Sequence, residues 1–369
     1  MGDTLPKFVA AAVQAAPLYL DREASVEKAC ELIREAGASA DLVVFPETWL
    51  PGYPFWHSGD QMRSSAVYSE LWKNAIEIPS LSTEQLCDAA SDADAYVVIG
   101  LNERDTLARG TLYNTMLYIS PDGRLLHRHR KLVPSFTERT IWGMGDGSDL
   151  DVLDTAVGRL GGLICWEHIM PLARFALMAQ GEQVHCGVWP AYSFQRDHID
   201  AAMRDYAFCG AAFVISACGV VTPGSMPAHV AVDAASANGG SAIVGPDGKY
   251  LAGPVFGSEE TLFAEVDLER TLHERHSRDV AGHYARPDVL QLVVNAAQKH
   301  AATFARPDGD TLPDTLEAAT AHEVVDRLEA VRDYLGSLIE RIGADGDAEM
   351  EAALSEAIAS IEEAAALRK

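Results

Sequence analysis

Three short segments of the chain hold side chains that do chemistry when brought together. The first is VGRLGGLICWEHIMPLARFA, residues 157–176. Leu160, Leu163 and Ile164 around Gly161-Gly162 read as a short buried strand, and Met170, Leu172, Ala173 and Ala176 fall at helical spacing around Pro171. Cys165 is therefore expected on a sharp strand-to-helix turn, held outward from the sheet edge. The free N–H groups of that helix would lower its thiol pKa and donate to an oxyanion. The second segment is DLVVFPETWLPGYPFWH, in which Pro46 ends an apolar strand and leaves Glu47 at its mouth. A carboxylate walled by Trp49, Tyr53, Phe55 and Trp56 has its pKa raised by desolvation and can act as a base near neutrality. The third, HRHRKLVPSFTERTIWGMGDGSDL, mixes Arg128, Arg130, Lys131, Glu138 and Arg139 with Gly143, Gly145 and Gly147. A lysine at a strand end beside a carboxylate is a fixed positive charge for an anion that develops during reaction. Each segment also has a plainer reading: a packing cysteine, a solvated loop carboxylate, an exposed charged loop. The glycine spacing fits neither the phosphate loop nor the dinucleotide fingerprint.

Bulk composition narrows the partners. The 369 residues are 48% hydrophobic and 22% charged, an ordinary globular balance. With 29 basic against 54 acidic residues the net charge is −25, which repels nucleic acid and anionic membrane. Cys30, Cys87, Cys165, Cys186, Cys209 and Cys218 form no C-x-x-C pair, so neither a zinc site nor a disulfide framework is expected. The N-terminus reads as a first strand rather than a signal peptide, and no apolar run is long enough for a membrane span. A cytoplasmic location is the expectation.

The elements that must position the three segments follow from periodicity. Strands are expected at 7–14, 42–45, 95–101, 112–119, 124–129, 160–164, 183–188, 212–217, 241–244 and 261–266. Helices are expected at 22–36, from about residue 83, after Cys165, and at 196–209. Pro121-Asp122-Gly123 turns one hairpin and Pro246-Asp247-Gly248 another. Crossover helices mixed with hairpins fit two packed sheets with helices outside better than one doubly wound sheet. His273, His276 and His283 lack a carboxylate or cysteine in register and read as surface histidines, not metal ligands. From 301 to 369 the composition shifts to 16 acidic and 6 basic residues. There Val324, Leu328, Val331, Leu335, Leu338 and Ile342 make a heptad seam, broken at 343–347 and followed by a second amphipathic stretch. The expected division is a main domain over 1–300 and an acidic helical hairpin over 301–369.

In form and order, FPETWLPGYP, HRKLVPSFTERTIWGMGDGS and GGLICWEHIMPL resemble the nitrilase superfamily of carbon–nitrogen hydrolases, and more closely its true nitrilase branch. The likeness runs from about residue 7 to 295 and includes GGSAIVGPDGKYLAGP and GHYARPDVLQL. It implies an α/β fold, a four-layer α-β-β-α sandwich that forms homodimers and often larger spiral oligomers. It implies Glu47 as general base, Lys131 as cationic stabiliser, Cys165 as nucleophile, Glu138 as an orienting second glutamate and the Trp166 N–H as a further donor. The substrate implied is a small-molecule nitrile, hydrolysed through a thioimidate and a thioester without cofactor or metal.

Trp166-Glu167-His168 and then Pro171-Leu172 stand where amidases of the superfamily usually have a Tyr-Asp type sequence, which favours nitriles. CWEH with VWPAY at 188–192 looks like the arylacetonitrile and cyanide-processing groups. Tyr53, Trp56, Trp142, His168, Trp189 and Tyr192 are the candidate pocket residues. Ser135 replaces a frequent Thr, and the tail after about 305 is unlike the usual extension. An amide or carbamoyl hydrolase on the same scaffold, and an inactive filament-forming scaffold protein, are the rival expectations.

Overall fold

Alternating burial along the strands sets the layers. The structure, a computed structural model, describes residues 4–58, 65–230, 232 and 236–299. The helical hairpin expected within 301–369 lies outside the described residues. One sheet is built from β1 (Lys7–Gln14), β2 (Leu42–Val44), β3 (Tyr96–Arg104), β4 (Leu112–Ile119), β5 (Leu125–Arg130) and β12 (Glu260–Asp267), in the order β12-β1-β2-β3-β4-β5. The other holds β6 (Leu153–Thr155), β7 (Gly158–Ile164), β8 (Val184–Trp189), β9 (Phe213–Cys218), β10 (Gly239–Val244) and β11 (Tyr250–Phe256), in the order β11-β10-β9-β8-β7-β6. Each has a parallel centre, β1-β2-β3 and β7-β8-β9, flanked by antiparallel partners.

Period-two patterning gives each central strand two buried faces. Ala10, Ala12, Leu42, Val44, Val98, Met116 and Tyr118 meet Leu160, Ile164, Cys186 and Ile215 in one core. Their sequence neighbours Ala11, Val13, Val43, Val97, Ile99 and Leu117 face outward, against Val26 and Ile33 of α1 (Arg22–Gly37) and Leu86 of a helix over Leu81–Ala93. Ala173 and Leu177 of the helix over Pro171–Ala179, with Ile199 and Met203 of the one over Arg196–Gly210, cover the outer face of the second sheet. The result is the expected α-β-β-α sandwich. In chain order the helices are α1, α2 (Ser65–Asn74), α3 (Leu81–Ala93), α4 (Pro171–Ala179), α5 (Arg196–Gly210) and α6 (Glu269–Arg278).

Four elements depart from expectation, among them α6, which buries only Thr271 and shows no apolar stripe. The short edge strand β6 has no fully buried residue, and β11 is half exposed and carries Gly253-Pro254, so neither shows an apolar signal. The turn at Pro246-Asp247-Gly248 therefore joins β10 to β11, not to the following strand. Helix α2 buries only Val67 and Leu71, too few for a clear stripe. No helix among the described residues is long and apolar enough to cross a membrane.

The Gly161-Gly162 pair lies where the sheets meet. A Cβ on Gly162 would sit 2.6 Å from the Cys186 carbonyl oxygen, 2.7 Å from Met116 Cε and 2.9 Å from the Tyr118 hydroxyl. Gly162→Ala is expected to overpack this contact and destabilise the fold by about 1–3 kcal/mol, read as a lowered thermal midpoint; an unchanged midpoint contradicts the packing described.

Candidate active site

The three chemical segments meet where strands from both sheets end. Glu47 follows β2, Lys131 follows β5, and Cys165 follows β7. Lys131 Nζ donates to Glu47 Oε1 and to Glu138 Oε2, each at 2.8 Å. A carboxylate oxygen of Glu47, one of Glu138 and the sulfur of Cys165 all lie within 4.8 Å of one another. All four side chains are buried. The carboxylates are themselves held: Asn114 Nδ2 donates to Glu47 Oε1 at 2.6 Å, Tyr53 OH to Glu138 Oε1 at 2.6 Å, and the Ser135 N–H to Glu138 Oε2 at 2.7 Å. Glu47 Oε2 has no hydrogen-bond partner among the described residues.

Burial decides the electrostatics, and ion pairing modifies it. Desolvation pushes Glu47 up to about 7, against the lowering effect of Lys131. Burial also opposes the charge on Lys131, but Glu138 and Glu47 outweigh it and hold the ammonium protonated well beyond its usual range. Burial and Glu47 push the Cys165 thiol well up, against Lys131 and the Trp166 N–H that bonds the sulfur. This reverses the expected lowering. A 3-10 turn, Cys165–Ile169, intervenes after the sulfur, and α4 begins only at Pro171, so the first N–H groups of α4 do not adjoin the thiol. Cys165 is also 1% exposed rather than held out at a sheet edge. The arrangement therefore keeps a neutral thiol beside a carboxylate whose free oxygen accepts a proton near neutral pH. Glu47, Glu138 and Cys165 are a grouping with metal-ligating types, but the Lys131 ammonium already supplies the cation between the two carboxylates.

Strained backbone concentrates here. Thr48 next to Glu47, Phe136 beside Glu138, Cys165 itself and Ala191 beside Tyr192 all have positive φ, from 42° to 63°. Gly100 permits the Glu47 turn to lie on β3: a Cβ there would meet the Pro46 carbonyl oxygen at 2.3 Å and the Thr48 nitrogen at 2.5 Å.

The candidate pocket residues divide. Tyr53, Trp142 and Tyr192 cluster with Phe55 over the site, with ring centroids 4.8–5.8 Å apart. Trp142 is fixed by donation to Asn102 Oδ1 at 2.9 Å, and Trp56 is buried in the same apolar cluster. His168 and Trp189 lie apart from that aromatic cluster. They stack on each other at 4.9 Å within the core between β8 and α5, behind the nucleophile turn. Their aromatic character made them resemble mouth residues, but the strand and turn register points them inward.

Two supporting groups were not singled out from the sequence. Asn114 is one, and its polarity inside the apolar run of β4 was the available signal. Glu167 is the other. Its carboxylate accepts from the Leu132 N–H and the Ile164 N–H, each at 2.7 Å, and from His129 Nε2 at 3.0 Å. Leu132 adjoins Lys131 and Ile164 adjoins Cys165, so one buried side chain ties the lysine segment to the cysteine turn.

Two sheets, four layers and a buried lysine–carboxylate–thiol cluster define a class, and comparison with known proteins agrees. Residues 9–273 match the family described as carbon-nitrogen hydrolase. An aliphatic nitrilase of Sinorhizobium fredii is 43% identical over 310 residues, covering 80% of this chain and 98% of its own. Nitrilase 2 of Arabidopsis thaliana is 39% identical over 310 residues, covering 79% and 90%. Among solved structures, the Caenorhabditis elegans NitFhit protein shares the fold with a TM-score of 0.65 at 21% identity, covering 84% of this chain and 72% of that one. The chain belongs to the carbon–nitrogen hydrolase family. Within that family it is an enzyme of the nitrilase branch.

The Glu167–His129 pair sets a stability expectation. Burial disfavours both charges, yet each partner outweighs it: Glu167 is held below its ordinary value and His129 above. The Glu167 contribution is lost as pH falls through its lowered pKa, and that of His129 as pH rises through its raised one. Glu167→Gln sets an amide N–H against a backbone N–H and unpairs His129, so a loss of roughly 3–5 kcal/mol in urea unfolding is expected. A loss below about 1 kcal/mol contradicts the stapling role.

Proposed function

We propose that the protein hydrolyses organic nitriles to carboxylate and ammonia, with Cys165 as nucleophile, Glu47 as general base, Lys131 as cationic stabiliser and Glu138 as the group that orients the lysine. The observation that carries this reading is the Lys131 ammonium bridging two buried carboxylates beside a buried thiol. A nitrile carbon is a modest electrophile and suits a soft sulfur nucleophile. Glu47 takes the thiol proton as sulfur bonds to carbon, and that proton passes to the nitrile nitrogen to give a thioimidate. Lys131 and the Trp166 N–H meet the charge that grows on nitrogen. Water deprotonated by Glu47 adds, the C–N bond breaks to release ammonia, and a thioester remains. A second water breaks the C–S bond and frees the acid and the thiol. The balance is one nitrile and two waters to one carboxylic acid and one ammonia.

For the substrate we propose an arylacetonitrile. The wall of Tyr53, Phe55, Trp142 and Tyr192 offers ring edges and faces to an aryl group. A panel of aliphatic, aromatic and arylacetonitrile substrates with cyanide tests that choice; the relative from Sinorhizobium fredii bears an aliphatic name. Six free thiols fit the proposed reducing cytoplasm. We also propose homodimers that build larger spirals, with the hairpin at 301–369 setting their size. Truncation after Arg306 is expected to shift the mass seen by light scattering, and an unchanged mass contradicts it.

Cys165→Ala, Lys131→Ala and Glu47→Gln are each expected to lower ammonia release from a nitrile by about 1,000-fold or more with folding intact. Persistent release from Cys165→Ala refutes the nucleophile, faster release from the matched amide favours an amidase, and no release from either favours the inert scaffold. Because Glu47 must be ionised and sits at about 7, kcat/KM is expected to fall about tenfold per pH unit below that value. A flat profile down to pH 5 contradicts Glu47 as the base.

A further inference from the structure

Behind the nucleophile turn runs a line of buried polar groups that the chemistry above does not use. His168 Nδ1 lies 2.6 Å from the carbonyl oxygen of Cys165, and His168 Nε2 lies 2.9 Å from His185 Nε2. His185 Nδ1 lies 2.8 Å from Glu182 Oε1, and the Tyr206 hydroxyl donates to Glu182 Oε2 at 2.5 Å. All four side chains are at most 1% exposed. Two glycines leave the space: a Cβ on Gly161 would meet Glu182 Oε1 at 2.3 Å, and one on Gly187 would meet Met203 Sδ at 2.5 Å and His168 Nε2 at 3.3 Å.

The protons in this line can be counted. Three contacts join Cys165 O to Glu182, and each hydrogen bond needs one proton. Both ends are acceptors, a carbonyl and a carboxylate, while two neutral imidazoles supply only two protons. With two protons, one contact sets acceptor against acceptor. We infer that the Glu182–His185–His168 line holds a third, buried proton in its His185–Glu182 contact, and that this proton positions the nucleophile by making His168 donate to the backbone carbonyl of Cys165. His168 itself stays neutral, because burial and the neighbouring His185 hold it well below the usual imidazole range. The proton order is then fixed: Glu182–His185 share one, His185 Nε2–H donates to His168 Nε2, and His168 Nδ1–H donates to Cys165 O.

Removing the third proton to solvent forces a choice between the two ends. The ionised carboxylate is the stronger acceptor and keeps a donor from His185 Nδ1. His185 Nε2 then becomes a lone pair, His168 turns its proton toward it, and a bare Nδ1 faces the Cys165 carbonyl. The break falls on the turn that carries Cys165 at a φ of 55°. The groups facing the line do not compete as acids. Tyr206, Tyr118 and Cys186 are held protonated by burial, Lys131 by its carboxylates, and Arg174 and Arg275 remain cations. His168 and Glu182 are thus positioning residues, acting through the proton order of the line. The kinetic part of this inference rests on Cys165 being the nucleophile; the proton count does not.

Glu182→Gln separates the possibilities, because an amide N–H can donate to His185 Nδ1 while its carbonyl accepts from Tyr206, making three protons at any pH. Nitrogen-15 histidine spectra of the full chain are expected to show His168 protonated at Nδ1 and bare at Nε2, with His185 protonated at Nε2 and a further proton shared between its Nδ1 and Glu182; Glu182→Gln is expected to keep the His168 pattern. His168→Phe should lower kcat about tenfold or more with KM little changed, which a purely structural role would not require. His168 protonated at Nε2 with a bare Nδ1 in the natural chain, or a Glu182→Gln chain that loses the Nδ1 proton, overturns the inference. The histidine pattern intact in a chain that releases no ammonia would overturn the proposed reaction and leave the relay standing.

Discussion

An ammonium held between two carboxylates in the interior is the constraint on which the rest of this structure depends. Lys131, Glu47 and Glu138 are each at most 3% exposed, and an unpaired charge at such a depth costs several kcal/mol. The three therefore need one another, and each remaining oxygen needs a donor. Tyr53 answers that need at Glu138 Oε1, Asn114 and the Ser135 N–H add to the oxygens that Lys131 already holds, and Glu47 Oε2 is left over among the described residues. A buried carboxylate with one free oxygen, pushed up to about 7 beside a thiol, is poised to take a proton rather than to stabilise the fold.

The fold brings these groups together by ending strands from different sheets at one place. The β2, β5 and β7 ends deliver the base, the cation and the sulfur, and positive φ angles at Thr48 and Cys165 aim two of them. Strain of that kind persists only where the surroundings over-determine it. Glu167 does so from the front by binding the backbone on both sides of the gap, and His168 from behind by binding Cys165's own carbonyl. The nucleophile turn is gripped by two residues of the same short CWEH segment.

Much of this could be read from residue order. Continuous apolar runs such as 42–45 and 212–217 are buried on both faces, which marks a covered parallel sheet, and the turn residues at 121–123 are unambiguous. Glu47, Lys131 and Cys165 each stand at a strand end, a position that apolar periodicity locates well. What periodicity misses is direction and depth. Edge strands β6 and β11 carry too little burial to show, and the thiol environment was inverted because a 3-10 turn separates Cys165 from helix α4. His168 and Trp189 look like mouth aromatics until their side chains are seen to pack behind the turn. Glu167 sits two residues from the nucleophile, yet one of its two backbone partners, Leu132, lies just past β5 of the other sheet and meets it only in the folded chain.

The central claim is that substrate carbon bonds to one particular sulfur in this closed, charged setting. Rapid acid quenching during turnover of a nitrile, followed by mass spectrometry of the digested chain, tests it most directly. The account predicts a transient adduct on the peptide bearing Cys165, first at the mass of the intact nitrile and then at that of the acyl group. Steady turnover with no adduct there, or with an adduct on another cysteine, would contradict it.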